Sequence, residues 1–152
     1  MKLAAADAVA VILQLPDGRF VLQHRDEKPE IWYPGYWGCF GGAVDAGEAP
    51  LEALHRELWE ELKLVPGRID SFVSFEFDLA CLGLQSYFRR YYFVSVSDAE
   101  FRSLHLGEGQ AIGAFPSPEL NTRIHLVPYD AFALELFINR DRIGAGWRTN
   151  NY

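Results

Sequence analysis

Residues 50–62 limit the possible folds more than any other stretch. Leu51, Leu54, Leu58 and Leu62 recur at helical spacing, and at about 100° per residue they lie within roughly 80° of one another. Glu57, Glu60 and Glu61 occupy a neighbouring arc, roughly 100° wide by the same count. Glu48-Ala49-Pro50 reads as the helix start, because proline suits a first turn, and Val65-Pro66-Gly67 as its end. A helix with one leucine stripe has to lay that stripe on another element, which puts three carboxylates at the margin of a buried surface. Acids three and four residues apart repel one another by about a few tenths of a kcal/mol per pair in water, and by more once water is excluded. Arg56 stands four residues from both Glu52 and Glu60; it can orient Glu60 but cannot neutralise three acids. Two readings follow from residue types alone. One is a solvated acidic face with ordinary ion pairs. The other is a site for a hard divalent cation, since oxygen ligands select Mg²⁺, Mn²⁺ or Ca²⁺ over zinc.

The rest of the chain supplies the surface for the stripe. An apolar run ending at Leu15, the turn Pro16-Asp17-Gly18 and the run Phe20-Val21-Leu22 predict a β-hairpin. The N-terminal apolar run is a strand rather than a signal peptide, because Asp7 interrupts it, Gln14 ends it and no Ala-x-Ala site follows. Residues 24–38 form a polar and aromatic loop, and Cys39–Val44 a short strand broken by Gly41-Gly42. Ile69, Val73, Phe75, Phe77 and Leu79 share one parity, opposite Asp70, Ser74, Glu76 and Asp78, which predicts a half-buried strand. Tyr87–Val96, almost wholly apolar or aromatic, reads as a central strand, and Ala111–Phe115 as a further one. Pro128 to about Asn139 reads as a second helix. Strands covered by two helices make an α/β sandwich.

Length and composition narrow the function. With 152 residues the chain is expected to form a single domain, 1–152, around one core. Its net charge of −7 argues against a nucleic-acid polymer as partner. Cys39 and Cys81 are too few for a disulfide framework or a structural zinc site. No apolar run approaches the roughly 20 residues that span a bilayer. A membrane partner is not expected, and a cytoplasmic location is. A homodimer through a face of the sheet is compatible with the many aromatic residues.

Spacing favours the metal reading. Gly42 is followed after five residues by Glu48, after seven more by Arg56-Glu57-Leu58, and then by Glu60-Glu61 and Leu64. This pattern resembles the box of the Nudix hydrolases, which act on nucleoside diphosphates linked to another moiety. One position departs from it, Lys63 standing where the box has a helix-ending glycine. The resemblance implies a Nudix-type α/β/α sandwich with a mixed sheet between helices. It also implies a Mg²⁺ cofactor, with Mn²⁺ as a substitute, held by Glu57, Glu60, Glu61 and the carbonyl near Gly41, with Glu48 as an outer ligand. Glu108-Gly109-Gln110 resembles a segment of family members that sanitise oxidised purine nucleotides, and its acid approaches the metal there.

The implied reaction is hydrolysis of a pyrophosphate bond in a nucleotide, of a triphosphate to monophosphate plus pyrophosphate or, alternatively, of a nucleotide sugar or other linked diphosphate. Glu57 is the first candidate for general base and Glu108 the second, with Arg56 orienting. Arg25 is a candidate for a phosphate and Trp32 for stacking on a base, together with Tyr33, Tyr36 and Trp37. Asp130 falls near the Asn that reads the base in the oxidised-purine enzymes, although an ionised Asp cannot donate a hydrogen bond. Arg89 and Arg90 alternate across a strand, so one of them can face the cleft. A non-catalytic nucleotide sensor is the alternative of another class.

Overall fold

The computed structural model describes residues 5–144; the ends of the expected 1–152 span lie outside them. The strands are β1 (Ala8–Gln14), β2 (Phe20–His24), β3 (Trp37–Gly38), β4 (Phe40–Ala43), β5 (Asp70–Phe77), β6 (Tyr87–Ser95) and β7 (Ala111–Phe115). The helices are α1 (Pro50–Leu62), α2 (Asp98–Ser103), α3 (Pro128–Ile138) and α4 (Arg140–Ile143). One mixed sheet runs β3-β2-β1-β6-β5, with β4 also paired to β1 and β7 to β2. Only β1 and β6 pair in parallel, from Ala8 opposite Arg89 to Gln14 opposite Ser95.

The hairpin strands stay together only near their turn, at Leu13–Val21 and Gln14–Phe20. Beyond it they part, and the segment Trp37–Ala43 fills the opening. Its first part lies along β2 and its second along β1. The candidate site grows at this split.

Alternation along the strands sorts the core into two layers. Val9, Val11, Val21, Phe40, Tyr92 and Val94 meet Leu54, Leu58 and Leu62 of α1. Ala10, Ile12, Leu22, Tyr91 and Phe93 meet Ala133, Leu134 and Phe137 of α3 on the other face. Burying each leucine of α1 contributes roughly 1.5–3 kcal/mol, which is what fixes this helix to the sheet.

Three expectations are corrected. Leu51 does not belong to the buried stripe, being 45% exposed, while Ala53 and Glu61 are buried beside Leu54, Leu58 and Leu62. The stripe is rotated toward the acids, and one carboxylate lies inside the fold. The single parity of β5 is broken by a bulge between Ser71 and Val73. The extra residue lets Phe72 and Val73 both pack toward α3, whereas Ile69 packs toward α1. Helix α2 was not expected, although its start carries a Ser97–Glu100 capping box, with Glu100 N–H donating to Ser97 Oγ at 3.1 Å and Ser97 N–H to Glu100 Oε2 at 2.8 Å.

Candidate active site

A cleft of about 900 Å³ opens at the end of the sheet where β1 and β6 begin. Gln23, Gly41, Gly42, Glu57, Glu61 and Glu108 line one part of it. Ile31, Trp32 and Tyr33 come from the aromatic loop, and Phe75, Phe77, Tyr87, Arg89, Tyr129 and Phe132 from the α3 side.

Glu61 is the most constrained of the acids that line the cleft. Its side chain is buried, Oε2 accepting the Gly41 N–H at 2.9 Å and Oε1 the Gln23 Nε2–H at 3.3 Å. Burial pushes its carboxyl up to about 8, and the charges of Glu57 and Glu108 push the same way. Gly41 makes the approach possible. Its φ is 143°, and a Cβ there would lie 2.1 Å from the Val9 carbonyl oxygen. Gly42 does the same for Glu57, whose Oε1 would lie 2.4 Å from an added Cβ. Burial also raises the Glu57 carboxyl; the Arg56 hydrogen bond opposes this, while Glu60 and Glu108 add to it.

Arg56 is a clasp at the side of the cleft. Nη1 donates to Glu57 Oε1 at 2.7 Å and Glu60 Oε2 at 3.3 Å; Nε donates to Glu48 Oε1 at 2.9 Å; Nη2 reaches Glu48 Oε2 and the Ala43 carbonyl, each at 3.0 Å. Its hydrogen bond is the main reason that the Glu48 carboxyl sits below the usual range. Glu48, Arg56 and the largely exposed Glu60 therefore flank the cleft rather than line it. Glu108 arrives on a loop latched to the end of α1. His105 N–H donates to the Leu62 carbonyl at 3.1 Å and Gly107 N–H to the Glu61 carbonyl at 2.7 Å. Gln23 Nε2 holds the Glu108 carbonyl at 3.0 Å.

The expected substrate residues divide. Arg25 and Trp32 line the cleft, joined by a hydrogen bond from Arg25 Nε to the Trp32 carbonyl at 3.0 Å. Asp130 does not line it. Its place in the first turn of α3 turns it under the sheet, 1% exposed, where it accepts from Tyr91 Oη–H at 2.6 Å, Cys39 N–H at 3.0 Å and Arg89 Nη2 at 3.2 Å. Burial, and then Asp130 itself, raises the Tyr91 phenol, so that hydroxyl stays a donor. Gln23 and Tyr129 were missed. A polar residue closing the apolar run of β2 was the available signal for Gln23, and nothing local marked Tyr129.

The donor set suits a hard cation in kind. Glu57, Glu61 and Glu108 are oxygen donors; the charge of Glu108 pushes the Glu57 and Glu61 carboxyls up and that of Glu57 pushes Glu61 the same way, and positive charge would relieve that repulsion. Two glycines keep the backbone open around them. With Glu57 held by Arg56, no three acidic, His or Cys side chains among the described residues close on a common point.

A mixed sheet between helices, with an acid-lined cleft at its split, defines the class as an α/β sandwich. The NUDIX domain model matches residues 4–137, and the chain belongs to the Nudix family. A MutT protein from Methanosarcina mazei superposes with a TM-score of 0.72 at 21% identity, covering 93% of this chain and 99% of that one. A MutT NUDIX hydrolase from Burkholderia pseudomallei gives 0.67 at 26% identity, covering 86% and 95%. Among curated proteins, an RNA pyrophosphohydrolase of Psychrobacter cryohalolentis is 47% identical over 34 residues, which is 22% of this chain and 20% of that protein. The chain thus matches about a fifth of the length of such relatives. No helix among the described residues is long and apolar enough to cross a membrane.

Proposed function

We propose that the chain acts as one Nudix domain that hydrolyses a pyrophosphate bond in a small nucleotide, releasing a nucleoside monophosphate and pyrophosphate from a triphosphate. The observation that carries this reading is that Glu57, Glu61 and Glu108 line one cleft beside Gly41 and Gly42. Gly41, Glu57 and Glu61 would hold Mg²⁺ or Mn²⁺, with Glu60 at the rim and Glu48 acting through Arg56. When bound, the cation supplies charge neutralisation on phosphate oxygens and an acidified water. Glu57 takes the proton of the attacking water, with Glu108 as the alternative base. Arg56 sets the direction of Glu57. The Gly41 N–H and Gln23 fix Glu61, so it needs no reorganisation as charge develops. Arg25 steadies a phosphate and Trp32 covers the ligand. A linked diphosphate is the second reading, favoured by the apolar reach of the cleft through Phe75, Phe77, Leu79, Leu82 and Leu84.

The test is a Mg²⁺-supplemented panel of nucleoside triphosphates, nucleotide sugars, dinucleoside polyphosphates and RNA with a triphosphate end, with products identified. Glu57→Gln and Glu61→Gln each lower kcat by about tenfold or more while circular dichroism stays native. Ligand-induced thermal shifts without turnover across the whole panel point to a sensor. Near-normal turnover in both folded variants removes the assignment of the acids.

A further inference from the structure

Arg89 has no part in the proposed hydrolysis, yet it is a buried cation that lines the cleft. Two of its nitrogens are committed. Nε donates to Tyr91 Oη at 2.9 Å and Nη2 to Asp130 Oδ1 at 3.2 Å. The guanidinium lies over the Tyr129 ring, 4.2 Å from its centroid. Tyr129 is in turn braced edge-on by Tyr33 at 5.6 Å. Among the described residues Nη1 has no hydrogen-bond partner, and no buried side-chain nitrogen or oxygen lacks one. Its N–H groups therefore open on the cleft.

The surroundings decide what those donors accept. Asp130 is 1% exposed and offsets the charge of Arg89 at close range, so a phosphate here would gain little from the arginine and be repelled by the aspartate. A neutral oxygen acceptor suits the position better. A guanidinium has donors only; it pairs with ring carbonyls and clashes with ring amino groups, the contrast that lets arginine select guanine in DNA. Tyr33, Trp32 and Phe132 line the same cleft as Arg89 and offer aromatic surface that suits a planar ring. Arg89 pairs with Ala8 of β1, and Gly42 under Glu57 pairs with Val9 on the other edge of that strand. Two strand spacings, roughly 10 Å, separate them, so a ligand with its phosphates at the glutamates presents its other end to Arg89.

We propose that Arg89, held by Asp130 and Tyr91 and backed by Tyr129, is the base-reading residue of the cleft and selects bases with a carbonyl at the guanine O6 or uracil O4 position over adenine and cytosine, which carry an amino group there. The proposal rests on the nucleotide reading of the site, and its test is independent of turnover. Binding of GMP, UMP, AMP and CMP to metal-free protein is measured by tryptophan fluorescence and calorimetry. GMP and UMP bind at least about tenfold tighter than AMP and CMP, and Arg89→Lys, which keeps the charge but loses the fork, brings the ratio close to one at unchanged Tm. Equal binding of the four, binding of none, or full discrimination in folded Arg89→Lys overturns it. Should Arg89→Lys fail to fold, the charge-balanced pair Arg89→Gln with Asp130→Asn replaces it, and discrimination retained there has the same consequence. Base selection without hydrolysis would leave this assignment standing and remove only the catalytic one.

Discussion

Burying Glu61 makes the metal-free protein sensitive to pH in a direction opposite to that of most paired carboxylates. The carboxyl is raised from 4.5 to about 8 in the fold. Below pH 4.5 both folded and unfolded chains carry the proton, and the burial is not penalised. Between that pH and about 8 the unfolded chain gives up its proton while the folded one keeps it. Stability therefore falls as pH rises, by up to about 1.4 kcal/mol per pH unit from this group. Across the window the loss is on the order of a few kcal/mol, a large part of the stability of a domain this size. Above about pH 8 the contribution levels off.

Urea unfolding in EDTA between pH 5 and 9, wild type beside Glu61→Gln, isolates the effect because all other titrating groups are shared. The glutamine loses some hydrogen-bond quality to Gly41 and Gln23, so the wild type is at least as stable at pH 5. It is the less stable of the two at pH 8.5. Millimolar Mg²⁺ narrows the difference at pH 8.5, by stabilising the charged form. Parallel stability curves for the two proteins from pH 5 to 9 would refute the reasoning.

Two glycines separate fold from function. Gly42→Ala meets only the movable end of Glu57, so Tm stays within a few degrees while kcat in a Mg²⁺-supplemented nucleotide assay drops. Gly41→Ala meets the Val9 backbone at a positive φ and costs on the order of 3 kcal/mol or more in urea unfolding. Lys63 ends α1 in the left-handed region at φ 54°, so Lys63→Gly raises stability by about 0.5–1 kcal/mol, net of its contact with the Trp59 ring at 4.9 Å. An unchanged denaturation midpoint would mean that this turn is not strained.

The spacing of the acids and the bounds of α1 were legible because they depend on a few residues close in sequence. Pro50 starts the helix and the box glutamates share its arc, as expected. Which side of that arc went inward was not legible. Leu51 and Glu61 compete for the margin, and the outcome depends on the Gly41 N–H and Gln23, which come from other strands. The bulge in β5 shifts inward-facing positions by one residue, and parity counting cannot register an inserted residue. Asp130 illustrates the same limit. Its placement near a base was inferred along the chain, but its three donors, from Cys39, Arg89 and Tyr91, arrive from β6 and from the junction of β3 and β4.

The latch of residues 105–107 onto α1 alters how that connection responds to change. Surface connections ordinarily absorb insertions without harm. Here the main chain of Gly107 rests on the last turn of α1, with no room for a Cβ beside the Glu60 carbonyl. The distance from that contact to Glu108 is one residue, so the segment serves as a gauge of fixed length, taking its zero from the same helix that carries Glu57 and Glu61. The latch ties Glu108 to α1, and the Gln23 bond to its carbonyl ties it to β2 as well. One residue added between 107 and 108 moves Glu108 alone.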